Sequence, residues 1–389
     1  MRNVYLDNNA TTMVAPEVVD AMLPFLREHY GNPSSMHSFG GGVMGPVEAA
    51  RESVAALVGA QSPSEIIFTS CGTEADNTAI LSALQTQPDK NHVITSRVEH
   101  PAVRSLLQSL TRRGYLVTEV PVDGAGLLDP SDVERAITAA TALITVMAAN
   151  NETGVVYPIR ELGAIARRNG VLMHTDAVQL VGKERLRVDE LNVDFLAMSG
   201  HKIHAPKGVG ALWVRRGTRF RPFVIGGHQE RGRRGGTEAV PNIVALGKAA
   251  ELALEHLEDE QVRVRRLRDR LESGLMEAIP RVKLNGSSAQ RLPNTSNLSF
   301  EHVEGEAILL MMSDLGIAAS SGSACTSGSL EPSHVLRAMG VSYTFAHGSI
   351  RFSLSRYNTD EDIDYVLEKM PGIIARLRQI SPFWTGPPE

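Results

Sequence analysis

Val171-Leu172-Met173-His174-Thr175-Asp176-Ala177-Val178-Gln179, followed further on by Ser199-Gly200-His201-Lys202, is the stretch that decides the fold. The apolar run predicts a strand that delivers Asp176 at its carboxyl end, where parallel α/β sheets bind ligands. The span from Asp176 to Lys202 leaves room for one helix and one strand. A ring nitrogen that must stay protonated needs a carboxylate, and an aldehyde carbon needs a lysine amine, so these two residues are candidates for the ends of a cofactor site. For Asp176 alone, capping a helix is an equal alternative.

Outward from this stretch, the chain between about residues 65 and 214 alternates β-rich and helical runs. Residues 66–69, 93–95, 117–120, 142–146, 171–174 and 210–214 predict strands, most of them continuous apolar runs as in strands covered on both faces. Residues 101–113, 130–140 and 159–169 predict the crossover helices of a mostly parallel sheet. After Pro241, residues 245–279 predict a long helical stretch with Val264, Leu267, Leu271 and Leu275 on one face. Strands at 295–300 and 349–353 then mix with helices at 305–315 and 359–380, as in a smaller α+β unit.

With 389 residues, 42% of them hydrophobic, the chain can bury a sizeable core. Its net charge of −5 and the local character of the arginine runs at 215–221 and 231–234 argue against nucleic acid as a partner. Those arginines read as a solvated face or as ion pairs. The amino-terminal residues lack the apolar stretch of a signal peptide, and no run approaches the ~18 apolar residues of a membrane span. The expectation is a cytoplasmic protein with no membrane partner. Two cysteines, Cys71 and Cys325, make no disulfide framework and fit a reducing compartment.

Several junctions carry further candidates. Ser70-Cys71-Gly72-Thr73-Glu74 joins a strand to a helix predicted over 77–84; Gly72 and Thr73 there form either a phosphate cradle or an ordinary turn capped by Thr73. His100, at another strand-to-helix junction, is either a structural polar group or one that stacks on a flat aromatic cofactor and moves protons. Asn150-Asn151 forms a turn or reaches a ring oxygen. Cys325 lies in the small-residue loop Ser320-Ser321-Gly322-Ser323-Ala324-Cys325-Thr326-Ser327-Gly328-Ser329, whose glycines would let a nucleophilic thiol swing or which merely joins two elements. Cys71, after an apolar strand, reads as structural. Arg351, inside a strand pattern, suits bidentate capture of a substrate carboxylate or an ion pair with a neighbouring acid.

Together these residues resemble the class V, fold-type I pyridoxal-phosphate enzymes, and within them the cysteine desulfurases. The likeness runs from Tyr5-Leu6-Asp7-Asn8-Asn9-Ala10-Thr11-Thr12 through Gly31-Asn32-Pro33-Ser34-Ser35 and the segments above to Arg351 and Arg356, essentially the whole chain. The long cysteine loop is similar to that of the group holding the housekeeping (IscS) and nitrogen-fixation (NifS) enzymes. His201-Lys202-Ile203-His204-Ala205-Pro206 and the segment from Gly226 to Arg234 resemble the nitrogen-fixation type more.

The resemblance implies an α/β fold-type I transferase: a mostly parallel mixed sheet with helices on both faces, plus a smaller α+β domain. The large, cofactor-binding domain would be residues 15–258, and the small domain, carrying the cysteine loop, residues 1–14 and 259–389. It assigns Lys202 to the Schiff base with pyridoxal 5′-phosphate and Cys325 to the persulfide. His100 would stack on the ring, Asp176 would hold its nitrogen, and Gln179 and Asn151 would approach its phenolic oxygen. Gly72, Thr73, Ser199 and His201 would bind the phosphate, with Thr237 contributed by the other subunit of a homodimer. Arg351, with Asn151, would hold the substrate.

The implied reaction takes L-cysteine to L-alanine and passes sulfur from Cys325 to an iron–sulfur scaffold protein, for cluster assembly in nitrogenase maturation. No resident metal is expected, apart from a transient contact of Cys325 with an iron–sulfur cluster. One departure concerns the helix expected after Ser38-Phe39, which Gly40-Gly41-Gly42 and Pro46 interrupt. Two other readings stay open. One is a selenocysteine lyase or transaminase with Cys325 incidental; the other is an inactive partner in sulfur assembly, against which the joint presence of Lys202, Asp176, Arg351 and Cys325 speaks.

Overall fold

The computed structural model describes residues 2–321, 332–384 and 386. Its strands are β1 (Val4–Tyr5), β2 (Ile66–Thr69), β3 (His92–Ser96), β4 (Leu116–Val120), β5 (Thr141–Thr145), β6 (Leu172–Asp176), β7 (Phe195–Ser199), β8 (Gly210–Val214), β9 (Val282–Leu284), β10 (Thr295–Phe300), β11 (Ile317–Ala318) and β12 (Ser349–Ser353). Seven of them form one sheet in the order β2-β8-β7-β6-β5-β3-β4. All neighbours in it are parallel except β8, which runs antiparallel to both β2 and β7. The mostly parallel sheet expected from the apolar runs is therefore present, with the mixed character that the resemblance implies. β2, β3, β5, β7 and β8 are buried along their whole length, which is why they lack a polar alternation.

The span between Asp176 and Lys202 holds a short helix, Val188–Leu191, and β7. Elsewhere the structure moves several expected boundaries. The helix after β2 starts at Gly72, not at 77, because Cys71 rather than Thr73 caps it: the Cys71 Sγ accepts the Glu74 N–H at 3.4 Å. The helix from Pro130 stops at Ala136, since Ile137 is already extended. The long stretch begins at Val240, breaks at His256, and resumes through a π-helical turn, Glu260–Val264, into Arg265–Ala278. The interruption at 40–46 resolves into a short helix, Ser38–Gly41, followed by Met44–Val58, with Pro46 in a first turn whose N–H groups have no helical partner anyway.

Beside the large sheet lies a three-stranded antiparallel sheet, β12-β10-β9, and the parallel pair β1-β11. Val264, Leu267, Leu271 and Leu275 are fully buried in a core with Leu298, Phe300, Ile350 and Phe352. The amino terminus thus pairs with carboxyl-terminal elements through β1, then crosses to the large sheet. Asn9, 1% exposed, makes that crossing rigid: its Nδ2 donates to Thr295 Oγ1 (2.8 Å) and to the Asn151 carbonyl (3.1 Å), and its Oδ1 accepts from Asn294 Nδ2 (3.1 Å).

Candidate active site

A cavity of about 300 Å³ opens at the carboxyl ends of β2, β5, β6 and β7, with Arg351 of β12 closing one side. It brings together Gly72, Thr73, His100, Asn151, Asp176, Gln179, Ser199, His201, Lys202 and Arg351, ten of the twelve residues singled out from the sequence. Thr237 is exposed and does not line it. Cys325 lies outside the described residues.

Lys202 follows β7 in a single 3₁₀ turn, Gly200–Lys202. Its Nζ donates to the carbonyls of Asn9 and Ala10, the latter at 2.8 Å. Burial, with Arg351 and Lys183 adding like charge against Asp176 and Asp7, brings its ammonium down to about 7. A substantial share of the amine is therefore free at neutral pH, which is the form that attacks an aldehyde. Asp176 ends β6, 5% exposed, and its Oδ1 accepts the Val178 N–H at 2.9 Å. No helix starts there, so the helix-capping alternative gives way to a local turn, while the same carboxyl also lines the cavity. Burial pushes Asp176 up, and His100 and Lys202 draw it back down.

His100 caps the helix Pro101–Thr111, its Nδ1 accepting the Ala102 N–H at 3.1 Å. Since a backbone N–H can only donate, the ring's proton sits on Nε2 when His100 is neutral. Burial lowers its basicity. Burial and the neighbouring Lys202 take His201 down to about 4, so at neutral pH it offers an N–H rather than a charge.

The opposite end of the cavity has the form of an anion cradle. The helix Gly72–Gln85 opens there, with the N–H groups of Gly72 and Thr73 unused by the helix itself. A Cβ at Gly72 would stand 2.8 Å from Val178 Cγ2 and 3.3 Å from Ser199 Cβ, so any larger residue would fill the cradle. Ser199 Oγ and Gln179 Oε1 are buried without a partner, while Gln179 Nε2 donates to the Asn9 carbonyl at 3.0 Å. Unsatisfied buried groups of this kind call for a ligand. A phosphate at Gly72 and Thr73, an aldehyde at Lys202 and a ring nitrogen at Asp176 fit these residues as one molecule.

Arg351, 2% exposed, is ion-paired: Nη2 donates to Asp7 Oδ1 at 2.7 Å and Nη1 to the Asn151 carbonyl at 2.9 Å, leaving Nε without a partner. The ion pair weighed as the plainer alternative is therefore present, on a guanidinium that also borders the cavity. Sequence reasoning missed Asn9 and Asp76 as parts of the site and took Cys71 for a structural thiol alone, although it caps the helix and lines the cavity. The unusually polar run from Asp7 to Thr12 was the signal available for Asn9. Among the described residues no cluster of His, Cys, Asp and Glu is arranged to hold a metal ion, and no helix is long and apolar enough to cross a membrane.

Residues 4–366 match the aminotransferase class-V family. The cysteine desulfurase of Trichormus azollae is 60% identical over 383 residues, covering 98% of this chain and 96% of that protein. The cysteine desulfurase NifS of Azotobacter vinelandii is 56% identical over 386 residues, 99% of this chain and 96% of its own. A solved NifS-like protein superposes with a TM-score of 0.91 at 40% identity, over 97% of this chain and all of that one. With such identity across nearly the full length, and a cavity whose groups suit their cofactor, the chain belongs to the class-V aminotransferase family and, within it, to the cysteine desulfurases, which work with pyridoxal 5′-phosphate.

Proposed function

We propose that the protein converts L-cysteine to L-alanine, leaves the sulfur as a persulfide on Cys325, and hands it to an iron–sulfur scaffold protein, in the service of nitrogenase maturation. The observation that carries this reading is the meeting of Lys202, Asp176 and the Gly72–Thr73 cradle in one cavity bordered by Arg351. Bound there, pyridoxal phosphate supplies an electron-withdrawing ring that draws charge from the substrate Cα and weakens the bond from Cβ to sulfur.

The chain's own residues do the rest. The N–H groups of Gly72 and Thr73, with the side chains of Thr73, Ser199 and His201, would hold the phosphate, and Asp176 would keep the proton on the ring nitrogen. His100 would stack on the ring, while Gln179 and Asn151 would approach its phenolic oxygen. Arg351 orients the substrate carboxylate, its Nε still free to donate. Lys202, whose amine would hold the cofactor aldehyde, would also carry the proton at the substrate Cα. The Cys325 thiolate attacks the substrate sulfur: an S–S bond forms, the Cβ–S bond breaks with its electron pair going to carbon, and protonation of that carbon gives alanine.

The division into a large unit of residues 15–258 and a small unit of 1–14 with 259–389 belongs to this reading, because it puts Cys325 and Arg351 on one body and Lys202 on the other. So does a homodimer, since Thr237 lies away from its own cavity and is available to a second copy. A cytoplasmic setting suits a free thiol as nucleophile.

Purified protein with L-cysteine and a thiol reductant tests the reading: equal yields of alanine and sulfide are expected. Cys325→Ala should keep the bound cofactor's colour yet form neither persulfide nor alanine. Mass spectrometry after a cysteine pulse should find added sulfur on the peptide carrying Cys325 and none on that carrying Cys71. Desulfuration by Cys325→Ala at the wild-type rate would refute the nucleophile assignment.

A further inference from the structure

Three buried acids, Asp176, Glu99 and Asp76, lie close together at the Asp176 end of the cavity, and their surroundings differ. Asp176 has the Val178 N–H and stands in the field of His100 and Lys202. Glu99, 1% exposed, accepts from Ser96 Oγ at 2.5 Å and from the Met147 N–H at 3.1 Å. Asp76, also 1% exposed and bordering the cavity, has no such donor. Its Oδ1 makes no hydrogen bond and faces His174 Nε2 at 3.4 Å, an atom equally without a partner. His174 is completely buried, with its Nδ1 2.8 Å from Thr145 Oγ1.

We propose that Asp76 and His174 form an uncharged carboxyl–imidazole clamp, which leaves Asp176 as the anionic carboxylate of the pair of aspartates and registers the phosphate end of the site against its ring-nitrogen end. This rests on the cofactor reading of Lys202 and Asp176 given above. The topology supports the second half. Asp76 lies one turn beyond Gly72 and Thr73 on the helix that cradles the phosphate; His174 lies two residues before Asp176, on the same face of β6. A contact between them therefore ties the two anchoring points of one ligand.

Desolvation supports the first half. An ion pair at 0% and 1% exposure, at 3.4 Å and with no further donor to the carboxylate, would not recover the cost of burying two charges. A proton on the carboxyl removes both. The titratable groups facing Asp76 are His174 and Asp176 from β6, Glu99 from the segment after β3, and Cys71 at the cap of its own helix. Burial first, then Asp176, Glu99 and Cys71, hold Asp76 well above the usual carboxylate range, and burial takes His174 down to about 3.

Apo-protein titrated with pyridoxal 5′-phosphate tests this, reading the cofactor Kd and the pH midpoint of the bound cofactor's absorbance. Asp76→Asn, neutral and of the same shape, is expected to hold Kd within about twofold and to leave the midpoint within about 0.3 unit. Asp76→Ala removes the clamp without changing charge and should weaken the cofactor about tenfold with the midpoint in place. His174→Ala probes the same contact from the strand, so that a misfolded Asp76→Ala does not leave the matter open. A midpoint shift of about one unit in Asp76→Asn would show that a charge had been removed and would overturn the proposal. Unchanged affinity in both alanine variants would overturn the clamp. Asp176→Asn is the separate control: wild-type affinity and spectrum there would refute the ring-nitrogen assignment, whatever Asp76 does.

Discussion

Competitive acylation of the apo-protein reads the Lys202 amine directly, and the structure sets what it should find. Burial and the like charges of Arg351 and Lys183 lower that ammonium from 10.5 to about 7. Only the free amine acylates, so labelling of Lys202 should rise about tenfold between about pH 6 and about pH 8 and then level off. An ordinary lysine rises about a hundredfold over the same interval and keeps climbing toward its value near 10.4. A model lysine peptide added to the same sample provides that reference. The assay uses trace anhydride, followed by peptide mass spectrometry normalised to the fully labelled unfolded chain. Arg351→Gln removes the largest opposing charge and should move the midpoint up; Asp176→Asn removes a favourable one and should move it down. If the Lys202 peptide tracks the model peptide with no plateau by about pH 9, the amine is an ordinary solvated one, and the account of how burial readies it for the aldehyde is wrong.

Stability should follow the same shift. Lys202 is held below its unfolded value, so the unfolded chain binds the extra proton between about pH 7 and about pH 10, and apo-protein stability should gain from this group as pH rises through that window. Comparing urea midpoints of wild type and Lys202→Met isolates the contribution, and a difference that does not change with pH would contradict it. Glu230 holds Arg51 bidentately at 2.7 and 3.0 Å, and both side chains are almost fully buried. Glu230→Ala takes away the buried partner of this guanidinium and leaves it the Glu48 carboxylate at 3.2 Å and the Ile66 carbonyl, so it should cost about 3 kcal/mol in urea unfolding, whereas a loss under about 1 kcal/mol would mean that Glu48 and water satisfy Arg51. Mixing inactive Lys202→Ala subunits with inactive Thr237-disrupted subunits should restore activity through heterodimers holding one intact site, and activity in a demonstrated monomer would rule out the shared site.

The sequence by itself determined what depends on neighbours along the chain. Continuous apolar runs marked most of the buried strands, the spacing of Val264, Leu267, Leu271 and Leu275 marked a helix face, and Asp176 and Lys202 stood out as candidates by residue type and, for Asp176, by its position at a strand end. The chain's order was enough to place a helix and a strand between those two residues. Tertiary structure alone decided what depends on register between distant segments. Nothing local told that β8 would turn back antiparallel between β2 and β7, or that the carbonyl of Asn9 would receive Lys202 and Gln179. The pairing of Arg351 with Asp7 was equally invisible, because Asp7 reaches it only once β1 has joined the carboxyl-terminal elements. Asp76 and His174 read as an ordinary helix residue and an ordinary strand residue. The desolvation that weighs against their charged forms exists only after helix and sheet have closed over them.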